Sequence, residues 1–358
     1  MVAATLRRAG AYRQARVTTR LALGASLLLL LLIAVSLVSL TMGPVKIPLS
    51  HVGSVVLGWF GLGAAEATTT ETLVIEQLRM PRIVAGVLVG AALGASGAVM
   101  QGLFRNPMAD PGIIGVSSGG AVGAVLAIAF GVHSAFYLAL PTFAFLGALG
   151  AAFLVYGIAL AGGRFSMATL LLAGIAVSSF LGAIVSTVLV VVPRNDALRE
   201  ILFWLAGGLD GRTWEHVRVA APMTLGGVAV MLAFARDLNL LMMGDDEARS
   251  LGVRVGVARP VIISAAALAT GTAVAVAGII SFVGLVVPHI LRLTFGPDNR
   301  VLVPLSAIGG AVFVVLADTL ARTVIQPAEF RVGILTSLVG APFFIFLLLR
   351  NKRHAEAL

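Results

Sequence analysis

From Pro260 to Phe295 the chain is almost uninterruptedly apolar. As one helix this stretch would extend about 54 Å, against a hydrocarbon core of about 30 Å. A single crossing cannot use that length. The chain must cross, break and return, and Gly278, Gly284 and Pro288 are the residues at which a helix can break. Runs of comparable character recur on both sides, in a chain that is 59% hydrophobic and only 11% charged. With a mean hydropathy of +1.04, this describes an all-α polytopic membrane protein.

Read in order, the runs give ten transmembrane helices. The first is Leu21 to Met42, preceded by residues 1–20, a basic arm carrying Arg7, Arg8, Arg13, Arg16 and Arg20 with no acid. It resembles a signal peptide that was never cut, because the run is long and no A-x-A site follows it. Residues 43–78, with Pro44, Pro48 and Trp59, read as an external segment. Spans then follow from near Pro81 to Phe104, Gly112 to Gly131, Leu138 to Leu160, Met167 to Val192 and Val219 to Ala235. The long apolar stretch gives Pro260 to Ala277 and a shorter helix ending at Arg292, and the last spans are Val301 to Ala321 and Val332 to Leu349. Pro193 to Arg218 is a polar interruption with Trp204 and Trp214 as interfacial anchors. Glycines at four-residue spacing, Gly86, Gly90, Gly94 and Gly115, Gly119, Gly123, predict close helix contacts, so residues 1–358 read as a single transmembrane domain.

The net charge of +9 does not point to nucleic acid, because the bases are spread over successive loops. With ten spans and both termini inside, the larger share of the 25 basic residues falls on the inner side, as the positive-inside rule requires. Zero cysteines exclude disulfides and thiolate chemistry. The five histidines are scattered without metal-ligand spacing, and the two lysines form no P-loop, so no metal site, cofactor or ATPase is expected in this chain. Gly115-Val116-Ser117-Ser118-Gly119 fits G-x-S-x-G, which leaves an intramembrane serine hydrolase using Ser117 as one alternative. A gradient-driven secondary transporter is another, but the spans hold few ionisable residues beyond Asp318 and Arg322, whose i, i+4 spacing suits an intrahelical pair.

The most polar stretch is Arg236 to Arg259, set between two apolar runs. Asp245 is placed to cap a short helix through Ala248 and Leu251, with Asp246 and Glu247 near the positive end of its dipole, Arg249 toward the other end, and Gly252 as the stop. Such a helix, satisfied locally and displayed outside the membrane, suits docking of a separate motor subunit.

Several segments, in order, carry a resemblance: Arg79-Met80-Pro81-Arg82; Gly97 to Gln101 with Asn106-Pro107-Met108-Ala109-Asp110-Pro111 and Gly115-Val116-Ser117; Leu171-Leu172-Ala173-Gly174; Gly284 to His289; and Gly340-Ala341-Pro342. Over about residues 40 to 350 the chain resembles the permease subunits of type II ABC importers for iron chelates and cobalamin, the FecCD family. The resemblance implies a non-enzymatic homodimer in the bacterial inner membrane. Two ATPase subunits that bind ATP and Mg, and a periplasmic substrate-binding protein, would be its partners. It implies that Asp245, Asp246, Glu247, Ala248, Arg249, Leu251 and Gly252, within the coupling segment 236–259, meet the ATPase. It further implies that Arg79, Arg82 and Arg322 dock the binding protein as outward rim charges, and that Ser166 and Met167 lie at the cytoplasmic gate.

This topology is open to a direct check. Reporter fusions after Arg105 and Arg249 should read as cytoplasmic, and fusions near Glu71 and Asp196 as external. An external signal at Arg249 would contradict the ten-span arrangement.

Overall fold

A computed structural model describes residues 2–59, 61, 67–161, 165–192, 194–324 and 330–355. Gly162 to Arg164, Pro193 and the side chains of Arg7, Arg8, Arg13, Arg16, Arg350, Lys352 and Arg353 lie outside the described residues. Every regular element among the described residues is helical: α1 Val2–Thr41, α2 Leu49–Gly58, α3 Thr69–Leu73, α4 Met80–Leu103, α5 Val116–Ala129, α6 Ala139–Leu160, α7 Met167–Val191, α8 Asn195–Leu205, α9 Trp214–Ala233, α10 Ala235–Leu241, α11 Asp245–Ser250, α12 Val255–Ala277, α13 Val283–Phe295, α14 Asn299–Thr323 and α15 Val332–Ala355. Seven of the helical stretches are long and apolar enough to cross a membrane, and α5, α13 and Val332–Phe346 are shorter apolar helices at the remaining expected spans.

The helix containing α4 is central: its apolar window is 83% buried, against 17% for α7 and 6% for α1. α4 packs against α14, α12, α9 and α13. Its closest neighbour is α14, because glycines remove the side chains that would hold the backbones apart. A Cβ at Gly90 would stand 2.2 Å from the Gly310 carbonyl oxygen, and one at Gly94 would stand 2.0 Å from that of Ser306. Gly119 and Gly123 do the same for α5 on α6, so the glycine repeats perform the packing expected of them.

The long apolar stretch breaks where expected, after Ala277. Gly278 has φ +67°, and Phe282 takes the left-handed conformation at φ +69° before α13 begins. Pro288 lies inside α13 and cannot donate to the Gly284 carbonyl. The side chain of Gln101 on α4 supplies the missing donor: its Nε2 donates to the carbonyls of Gly284 and Leu285, each at 3.1 Å. Gly97, one turn earlier, lets the helices approach that closely.

Several boundaries differ from the expectation for physical reasons. The basic arm is helical and continuous with the first span, so α1 is 40 residues long. The second span does not start at Pro81. A π-helical turn at Val74–Arg79 joins α3 to α4, with the Met80 N–H donating to the Ile75 carbonyl, and this irregular turn carries the helix past the proline. The polar interruption before Arg218 contains an amphipathic helix, α8, whose Ala197, Ile201 and Trp204 are buried. α9 and α12 start earlier than expected and keep Pro222 and Pro260 inside.

Gln101→Leu should leave a buried carbonyl of α13 without its donor and lower stability by about 1–3 kcal/mol. Thermal unfolding of the purified protein in detergent measures this, and an unchanged Tm would contradict the role given to Gln101.

Candidate functional site

Charged side chains gather at the two ends of α4. Arg82 sits in its first turn, whereas Arg105, just beyond its last, donates to the Leu241 carbonyl at 2.9 Å. The two arginines are separated by about 35 Å of helix.

At the first end, Arg82 donates through Nε and Nη2 to Asp318 on α14 at 2.9–3.1 Å. Arg322 Nε approaches the same carboxylate at 3.2 Å. The intrahelical pair expected from spacing therefore exists, but it is shared with a residue 236 positions away in sequence. Arg82 also reaches Asp210, at 3.3 Å, which pairs with Arg331 in turn. Arg331 lies over the Phe203 ring at 4.5 Å. Arg79, delivered by the π-turn, donates to the carbonyls of Leu40 and Val45. The expectation of outward rim charges is corrected here, since Arg79, Arg82 and Arg322 are only 5%, 9% and 5% exposed. Charges taken out of water need close partners, and the two carboxylates, Ser39 and Leu40 at the end of α1 and the Val45 carbonyl provide them. All three arginines nonetheless line a cleft of about 610 Å³ together with Asp210, Arg212 and Gln77.

At the other end, α10, α11 and the start of α12 form the polar stretch. α11 starts at Asp245 with Gly244, at φ +146°, as its cap. Asp245 is thus the first helical residue rather than the capping side chain, and its carboxylate instead accepts from Arg259 at 2.5 Å. Gly252, at φ +90°, ends the helix as expected. Its N–H donates to the Arg249 carbonyl and that of Val253 to the Ala248 carbonyl, which is a Schellman closure with Ala248 and Val253 both buried. Asp246, Glu247, Arg249, Leu251 and Gly252 are exposed. Asp246 pairs only with Arg249, at 2.9 Å on the surface. With Met243 at 62%, Leu251 at 55% and Val257 at 54% exposed, the helix displays an apolar rim around a charged tip.

Sequence reasoning missed what anchors this element. Asn239 on α10 donates to Asp298 at 2.7 Å and accepts from Asn299 at 2.8 Å, joining α10 to the start of α14. Arg259 fixes α11 to α12. Single polar residues near helix ends carry no local signal of so distant a partner.

Ser166 caps α7, its Oγ accepting from the Thr169 N–H at 3.4 Å, and Met167 is the first helical residue. Met167 lines a cavity of about 210 Å³ with Phe104, Asn106, Ala109 and Ile113. Ser166 and Met167 therefore sit beside the Asn106 to Pro111 turn quoted above. Ser117 follows a 3-10 turn at Pro111–Ile114, not a strand, so among the described residues the hydrolase elbow is not formed.

These features define a multi-pass helical membrane protein with an arginine-lined cleft at one end and a displayed helix at the other. The chain belongs to the FecCD transport family, whose family model matches residues 30–350. It is 45% identical to the cobalamin import permease BtuC of Halobacterium salinarum, over 92% of this chain and 95% of that protein. It is 40% identical to the hemin transport permease HmuU of Yersinia pestis, over 95% and 98% of the two chains. It is also 42% identical to the iron(3+)-hydroxamate import permease FhuB of Bacillus subtilis, over 82% and 76%. A solved structure described as an inward-facing metal-chelate-type ABC transporter superposes with a TM-score of 0.79 at 33% identity, covering 90% of this chain and 97% of that one. The chain is a transport permease of the ABC importer kind.

The hydrogen bond from Arg259, partly offset by burial, holds the Asp245 carboxyl below its ordinary value. A depressed carboxylate contributes stability above its unfolded value of about 3.9 and loses it as pH falls through the lower folded value. The Tm difference between the wild type and Asp245→Asn should therefore be flat from about pH 8 to about pH 5 and shrink below about pH 4. A difference that vanishes near neutral pH would contradict the ion pair.

Proposed function

We propose that this permease imports a metal chelate, namely haem, a ferric siderophore or cobalamin, from the periplasm across the bacterial inner membrane into the cytoplasm, with both of its termini cytoplasmic. The observation that carries the coupling is α11. It is a closed helix with a charged tip and an apolar rim, held to α12 by Arg259 and to α14 through Asn239. Asp245, Asp246, Glu247, Arg249, Leu251 and Gly252 meet an ATPase subunit that holds ATP and Mg, two of which serve a homodimer of this chain, whereas Ala248, expected among them, is fully buried and holds the helix against the core. The exposed apolar surface of α7, including Leu172, Ile175 and Phe180, supports a partner copy or lipid on that side. Ser166 and Met167, where α7 begins, form the cytoplasmic gate.

On the outer face, a periplasmic binding protein presents carboxylates to the cleft that holds Arg79, Arg82 and Arg322. Buried as they are, these arginines are already oriented by Asp318 and the chain end of α1, so little side-chain freedom is lost on docking. The relatives' names range over cobalamin, hemin and iron(3+)-hydroxamate, which supports the chelate class.

Ala248→Pro removes a backbone donor from α11 and clashes with its preceding turn while leaving the packed spans intact. ATP-dependent uptake should fall to background with the permease still in the membrane. Uptake at the wild-type rate would show that α11 is a connector only. Binding of haem, ferric siderophores and cobalamin to the partner binding protein then identifies the substrate.

A further inference from the structure

We propose that Arg259 is a positioning residue that latches the displayed helix α11 to the start of α7, acting through the ring of Phe165. The proposal rests on the reading of α11 as the ATPase-coupling element and of Ser166 and Met167 as the gate.

One guanidinium joins three parts of the chain. Arg259 lies in the second turn of α12, and its side chain is 11% exposed. Its Nη2 donates to Asp245, the first residue of α11, at 2.5 Å. Its Cζ lies over the Phe165 ring, 5.1 Å from the ring centroid. Phe165 in turn packs against Tyr156 of α6, with ring centroids 5.7 Å apart. A guanidinium can serve a carboxylate with its in-plane N–H groups while lying against an aromatic ring, a fixed geometry that the point-like ammonium of lysine does not reproduce. Phe165 is the residue before Ser166, the cap of α7, so the ring fixes the point at which α7 starts.

Tyr156, Phe165 and Met167 pack against the core on one side, and the other side of the junction opens on a cavity. Tyr156, Phe165, Asp245, Arg249 and Arg259 line one cavity of about 590 Å³, so the guanidinium bridges open space. A close-packed core resists displacement of its members, whereas a bridge of this kind can break and reform without repacking. Movement of α11 by its partner pulls on Asp245, and through Arg259 that displacement reaches Phe165 and the first turn of α7. Met167 on that turn lines the neighbouring small cavity with Asn106 and Ile113, so a shift of α7 reshapes it.

The protein has no cysteine, so Met167→Cys gives a single reporter at the junction. The permease carrying it is assembled with its ATPase subunits in proteoliposomes, and maleimide labelling of the permease is timed with and without ATP, alongside ATP hydrolysis. In this background ATP should change the labelling rate by about fivefold or more, the shift in a two-state equilibrium that an interaction of this strength carries. Phe165→Leu and Arg259→Lys, which keep bulk and charge respectively, should abolish the ATP response while hydrolysis continues, and Phe165→Trp should retain it. A purely apolar role for Phe165 would tolerate leucine. A full response in both Phe165→Leu and Arg259→Lys overturns the latch. Ala248→Pro separates the two levels: if it too leaves the response intact, the coupling reading of α11 fails, whereas loss there with retention in the other two variants removes the latch alone.

Discussion

The contact between α4 and α14 sets the geometry of the half of this molecule that holds the arginine-lined cleft. The two helices run antiparallel with Gly90 on Gly310 and Gly94 against Ser306, so each step along one is matched by an equal step back along the other. Continuing that register eight residues from Gly90 and Gly310 brings Arg82 opposite Asp318, the pair that the structure shows. Backbone proximity and ion pairing are therefore one constraint. A larger residue at Gly90 or Gly94 would separate the helices and strand the buried Arg82 on α4 from Asp318 on α14. Leaving a buried charge unpaired is far more costly than the packing loss itself.

The same central helix organises the other half by different means. Gln101 restores a donor that Pro288 removes from α13, and Arg105 holds the end of α10 through a backbone carbonyl. α10 and α11 are thereby fixed to α4, α14 and α12 through these polar contacts together with the buried side chains of Leu238, Leu241 and Ala248. The arginine cluster at the other end of α4 is linked through the carboxylates of Asp318 and Asp210.

Much of the fold is legible in the sequence because lipid imposes length and periodicity on every span. The helix ends at Ala277 and Val332, the Gly252 stop and the glycine contacts follow from local chemistry. What was not legible depends on partners distant in sequence. Pro81 marks a helix start in most contexts, and only the π-turn that Arg79 closes lets the helix pass through it. The polar composition of residues 193–218 hid α8, whose apolar face is supplied by just a few residues. Arginines beside a membrane read as surface charges, and nothing near Arg82 announces that Asp318 lies against it. Asp245 resembles a capping residue by type, yet Arg259 claims its carboxylate and Gly244 takes the cap.

The central claim, that α11 delivers work from a separate ATPase to a passive permease, is tested most directly by the energy source of transport. Proteoliposomes containing the permease, its ATPase subunits and its binding protein can be loaded with ATP or given a proton or sodium gradient, and chelate accumulation followed. The account predicts accumulation with ATP and all three components present, and none from either gradient alone. Accumulation driven by a gradient in the absence of the ATPase would contradict it.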